Sequence, residues 1–298
     1  MKRLNVAFAS ALVACFTVAA CFAQDSVDAS GSDGATQVFE KTLDDGARVI
    51  VKKVGQEAAF ATIERNGEKV EIDAFEPLER VPEDAREFVR ETWEKLGEFP
   101  KKTIKVEIDV TEAPDATEWA ERAKSRVLYW YPKIVAMLDG EEAVDKIPDD
   151  FTIRLIFKNF DGVAYASGRS ITVSSAYIKK APRDFGLVVH ETTHVAQAYP
   201  RVRETWAMEG LTDYIRYYVT EARSKNHWRV DPERSKYTDS YGVTAAFYDW
   251  IVRNIDKDFI QKIHRVFRSR GSVEAFCKEE YDATLGDLWE QFISSLNQ

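Results

Sequence analysis

Four histidines occur in the 298 residues, and two of them stand four apart in VVHETTHVAQ, residues 188–197. On a helix, positions i and i+4 lie one above the other on one face. His190 and His194 would then present their imidazoles in the same direction, with Glu191 turned slightly off that line. This is the H-E-x-x-H spacing in which two imidazoles hold zinc and the glutamate serves as general base. A surface helix with two solvated histidines would match the same pattern. A zinc reading therefore needs a third ligand, a docked helix and a donor for the oxyanion.

The stretch ETWAMEGLTDYIRYY begins ten residues after His194 and reads as a second helix, on which Glu209 and Asp213 are again four apart. A catalytic zinc takes three protein ligands plus water, and two histidines with one glutamate is a known set. Glu209 is the candidate third ligand. Asp213, one turn on, is placed to accept the other ring N–H of a liganding histidine and so fix its tautomer. Gly210, beside Glu209, costs helix stability, which is explicable if the backbone must pack closely there. For the oxyanion there are two candidates, Tyr241 in TDSYGVTAAFYDW and His227 in KNHW. A lone Tyr or His is more often structural, and either of these could donate to an oxygen that gains charge as water attacks a carbonyl.

Several elements must position these residues. QVFEKTLDDGARVIVKKV and AAFATIERNGEKVEIDAF alternate apolar and polar residues around Asp45-Gly46 and Asn66-Gly67. Such turn pairs between alternating runs predict hairpins, here a small antiparallel sheet over residues 37–75. A helix is predicted over 82–96, a strand over 103–110, and a long helix over 115–138 whose Trp119, Ala123, Val127, Trp130, Ile134 and Leu138 form a core stripe. Strands over 151–157 and 169–175 bracket the loop NFDGVAYASG. Helices follow over 183–199, 204–223, 240–255 and 257–269, with two short ones at the C-terminus. Val188, Val195 and Tyr199 dock the first of these on a core. Strands first and helices second describe an α+β fold.

The composition, 45% hydrophobic and 31% charged, is that of a folded chain rather than a disordered one. A net charge of −9 offers no bulk attraction to nucleic acid or anionic lipid. Residues 1–23 read as a signal peptide: Lys2 and Arg3, an Ala-rich apolar run, then polar Gln24-Asp25-Ser26. Cleavage after Ala23 would release an exported protein, periplasmic or extracellular. Val18-Ala19-Ala20-Cys21 also resembles a lipobox, and membrane attachment is expected only if Cys21 is lipidated. Residues 24–36 form a polar tether, 37–80 a small β-hairpin module and 81–298 the main domain. With Cys15 and Cys21 in the leader, Cys277 remains alone, a small buried hydrophobe with no disulfide partner.

HETTHVAQ, WAMEGLTDYIRYY, HW and DSYGVTAAFYDWI, in that order, resemble the plant basic secretory protein family, also described as peptidases of plants and bacteria. The resemblance spans about residues 103–295 and includes TIKVEIDV, WYPKIVAML and ITVSSAYI. It implies a gluzincin-type metallopeptidase with a zincin-like domain, Zn²⁺ on His190, His194 and Glu209, and Glu191 as base. The implied activity is hydrolysis of peptide bonds through a zinc-bound water activated by Glu191. A peptide or protein is the expected partner, and a monomer the expected state. The acidity of this chain departs from the basic plant namesakes and leaves substrate preference open. The alternative class is a zinc-stabilised secreted or lipid-anchored binding protein without turnover. Glu191, which is not a ligand, discriminates between the two.

Overall fold

A computed structural model describes residues 36–200, 202–221 and 229–296. The expected leader, all but the last residue of the tether, and His227 lie outside the described residues. Four strands come first: β1 (Thr36–Thr42), β2 (Arg48–Val54), β3 (Phe60–Arg65) and β4 (Glu68–Asp73). They pair in sequence order, all antiparallel. Asn66 and Gly67, at φ +53° and +83°, make the two-residue turn between Arg65 and Glu68. Both central residues with positive φ match the hand of the strand twist, which is why Asn-Gly favours this hairpin.

The second sheet runs β5 (Lys105–Asp109), β6 (Thr152–Lys158), β8 (Ser170–Ser174), β7 (Ala164–Ser167), with β5, β6 and β8 parallel and β7 antiparallel at the edge. Part of the stretch expected to be loop is thus a strand. Ala164–Ser167 folds back on β8 through Gly168-Arg169, where Gly168 supplies φ +57°. Four residues, two of them alanines, carry too little β-propensity to announce a strand without the neighbour they pair with.

Helices cover and extend this sheet. They are α1 (Glu83–Lys95), α2 (Thr117–Asp139), α3 (Glu141–Asp145), α4 (Ser175–Lys180), α5 (Gly186–Gln197), α6 (Thr205–Tyr214), α7 (Tyr241–Asn254), α8 (Phe259–Arg268), α9 (Val273–Tyr281) and α10 (Leu285–Leu296). A π-helical turn, Ile215–Thr220, continues α6. The molecule is therefore α+β, with an antiparallel sheet, then a mixed sheet, then helices. Among the described residues no helix is long and apolar enough to cross a membrane.

Helix α2 lies on β5 and β6 and against α5. Its stripe of Ala123, Val127, Trp130, Ile134 and Leu138 is buried in the core. Trp119 stacks on Phe185 at 4.6 Å and donates its indole N–H to the Pro182 carbonyl at 3.1 Å, which fixes the entry to α5. Buried side chains form one continuous core from Val49 in β2 to Phe292 in α10. Glu98, 1% exposed, joins the N-terminal sheet to α2: its carboxylate pairs with Lys53 of β2, accepts from the Ala59 N–H, and accepts from the Tyr129 hydroxyl of α2. Cys277 is fully buried, and burial pushes its thiol up to about 12.

Candidate metal centre

Helix α5 is buried along almost its whole length, more so than one apolar stripe would give. Thr192 and Thr193, fully buried, satisfy their hydroxyls by donating to the carbonyls of Val188 and Val189 one turn back. His190 and His194 are its least buried residues and open towards a cleft, with side chains 12% and 16% exposed. The helix ends at Ala198 in the left-handed region, φ +40°. Arg268 of α8 caps its last turn by donating to the Ala196 carbonyl.

Helix α6 faces α5 and brings Glu209 to the same point. His190 Nε2 lies 3.2 Å from Glu209 Oε2, His194 Nε2 lies 3.3 Å from it, and the two Nε2 atoms are 3.2 Å apart. Among the described residues this is the group of three that could hold a metal ion. Donor atoms about 2.0–2.1 Å from a tetrahedral zinc stand about 3.3 Å from one another, so the three edges fit that ion.

Hydrogen bonding on the far side of each ring favours the same conclusion. Asp213 Oδ1, 2.7 Å from His190 Nδ1, can only accept, so the hydrogen is on Nδ1. For His194 the assignment runs through two more residues. Thr212 donates its hydroxyl to the Met208 carbonyl at 3.0 Å and therefore accepts from Gln197 Nε2 at 2.9 Å. That turns Gln197 Oε1 towards His194 Nδ1, at 2.9 Å. With both Nδ1 atoms carrying hydrogen, neutral rings aim two lone pairs at the Glu209 carboxylate oxygen. Three electron-pair donors facing one another require a cation or a proton between them.

In the absence of a metal, a proton takes that place. Burial alone would lower the pKa of His190, but hydrogen bonds to Asp213 and Glu209 push it up to about 9. Burial would raise Glu209, yet its bonds to both histidines hold it at about 2. Glu191 is 7% exposed and does not join the triad. Burial raises its pKa, opposed by the two imidazoles, and the Ala166 backbone N–H of β7 binds its carboxylate.

Gly210 lets α6 approach α7 closely. A Cβ there would stand 2.2 Å from Thr244 Cγ2 of α7, far inside contact distance. Tyr241 opens α7 with its ring 6.4 Å from that of His190. Ser240 and Tyr241 both have left-handed backbones, φ +69° and +48°. Neither is glycine, and each costs about 1–2 kcal/mol there. The Glu209 carboxylate, with burial and the other acids, raises the Tyr241 phenol, so it stays a hydrogen-bond donor.

The triad lines a cleft of about 1360 Å³ walled by α5, α6, β7 and Tyr241. No residue of the N-terminal sheet lines it. Gln197 and the Ala166 N–H were not singled out from the sequence. Gln197 sits three residues beyond His194, a spacing that could have flagged it. Ala166 acts through its backbone, which leaves no mark on residue type.

A family model described as a peptidase of plants and bacteria matches residues 113–292, more than half of the chain. Among curated proteins and solved structures no match was found.

Proposed function

The chain belongs to the basic secretory protein family, the peptidases of plants and bacteria, and on that premise we propose a zinc-dependent peptidase of gluzincin type with a zincin-like domain. His190, His194 and Glu209 would hold the metal. The observation that carries this reading is the convergence of three donor atoms at 3.2–3.3 Å, with both Nδ1 atoms committed elsewhere.

When bound, zinc would lower the pKa of a water to about 7 and polarise the scissile carbonyl. Asp213 and Gln197 keep the Nε2 lone pairs of the histidines turned inward. Glu191 takes the proton of the attacking water on its carboxylate and passes it to the leaving amine nitrogen. Its raised pKa narrows the gap between those two transfers. The Ala166 N–H orients it by donating to the carboxylate. The Tyr241 hydroxyl donates to the oxygen that becomes negative as the carbonyl turns tetrahedral. An extended peptide would pair with the outer edge of β7, which among the described strands has β8 as its one neighbour. Export through residues 1–23, with or without lipidation of Cys21, belongs to the same proposal.

Digestion of a peptide mixture by the zinc-loaded protein and by Glu191→Gln tests the reading. The expected result is cleavage by the wild type and a loss of about 10²–10⁴-fold in the variant, with zinc content unchanged. Equal behaviour of the two proteins would instead identify a zinc-holding binding protein.

A further inference from the structure

The cleft has a second chemical character away from the triad. Beyond the triad its wall carries Lys146, Arg169 and Arg268. Arg268 is spoken for: it donates to Asp139 at 3.1 Å and to the Ala196 carbonyl at 3.2 Å. Lys146 and Arg169 are exposed, and among the described residues neither has a carboxylate partner.

Arg169 is nevertheless held in place. Its carbonyl accepts from the Arg154 N–H at 2.9 Å. Its guanidinium lies 4.2 Å over the ring of Phe151, which stacks on Tyr131 at 4.8 Å and 22°. A cation stacked on an aromatic face keeps its N–H edge free for a planar acceptor. Along the chain it stands three residues beyond Ala166, whose N–H binds Glu191. One strand residue, Ser167, and Gly168 of the turn into β8 separate the two, so Arg169 stands at the hairpin end just past the Glu191 contact.

We propose that this part of the cleft recognises a carboxylate, read by Arg169 and Lys146 on a peptide whose acidic side chain or C-terminus reaches the β7–β8 turn. The proposal rests on the peptidase reading above. It gives an acidic protein a cleft that selects acidic substrates, since a free guanidinium and ammonium attract anions and repel peptide cations.

Short peptide libraries fixed to Glu, Gln or Lys at one position at a time, each with a free and an amidated C-terminus, test it in two ways. Cleavage is followed with the zinc-loaded wild type, and binding by fluorescence anisotropy with Glu191→Gln. The expected result is a preference for Glu over Lys of about tenfold, weaker at high salt. The ratio should invert when Arg169→Glu is combined with Lys146→Glu. Using the ratio makes a general loss of activity in that variant harmless to the test. Preference that survives amidation assigns the carboxylate to a side chain, and preference lost on amidation assigns it to the peptide terminus. Cleavage with equal use of Glu and Lys overturns the subsite and leaves the peptidase standing. Glu-selective binding without any cleavage does the reverse, and no selectivity in either assay overturns the subsite.

Discussion

Asp213 and Gln197 touch neither peptide nor, in the proposed centre, metal, yet each decides which ring nitrogen of a histidine is free. Asp213→Asn keeps the shape but trades a carboxylate for an amide that can offer His190 a donor. Zinc affinity is expected to fall about 10–100-fold, measured by competition with a chromophoric chelator. A second consequence follows from the proton that His190 holds with its pKa at about 9. At pH 7.5 the metal-free ring is charged, so zinc uptake must release that proton. Calorimetry in buffers of different ionisation enthalpy should detect the release in the wild type and less of it in Asp213→Asn, which lacks a charge that sustains the raised pKa. His190, His194, Glu209 and Asp213 were legible as candidates because each pair lies four apart on its own helix. The Tyr199–His264–Asp139 chain was not: its bonds, at 2.8 and 3.0 Å, join residues 65 and 125 positions apart and leave no local pattern.

At the level of elements, the centre depends on how closely α6 can approach its neighbours. Gly210 faces Thr244, and a methyl group there has no space. Gly210→Ala should therefore destabilise by about 1–3 kcal/mol despite the better helix propensity of alanine. It should also reduce zinc affinity, since the displaced turn carries Glu209. Urea unfolding and zinc titration of the one variant check both, and unchanged stability would show that α7 yields without cost. The glycine stood out in the sequence because it opposed the local propensity, whereas β7 did not stand out because nothing local supports it. The short α3 and α4 escaped for a related reason: five and six residues are too few to display a period.

Across the whole molecule, the N-terminal sheet is tied to the rest by Glu98, whose carboxylate meets Lys53, the Ala59 N–H and the Tyr129 hydroxyl. Glu98→Ala leaves Lys53 and Tyr129 facing a void and should cost about 3–5 kcal/mol in urea unfolding. The sheet is absent from the cleft wall, so weakening this tie should lower stability without raising the proposed peptidase activity. Acid is expected to loosen the fold at another point. His264 is fully buried, accepts from Tyr199 and donates to Asp139, and its pKa is lowered by burial despite the aspartate. The unfolded chain takes up this proton near pH 6.5, the folded one only at lower pH. Its contribution to stability is full above about pH 6.5 and is lost as pH falls towards the folded value. Urea midpoints of the wild type should drop between pH 7.5 and 5.5 more than those of His264→Gln. The enclosure of α5 bears on timescales as well. Its amides should exchange with solvent only when the whole core opens, slower than those of the exposed β1 edge. The backbone under the histidines is held on that same timescale and their rings are tethered at Nδ1, so an ion held there would depart by way of the Glu209 side, and its residence time would report the motion of α6.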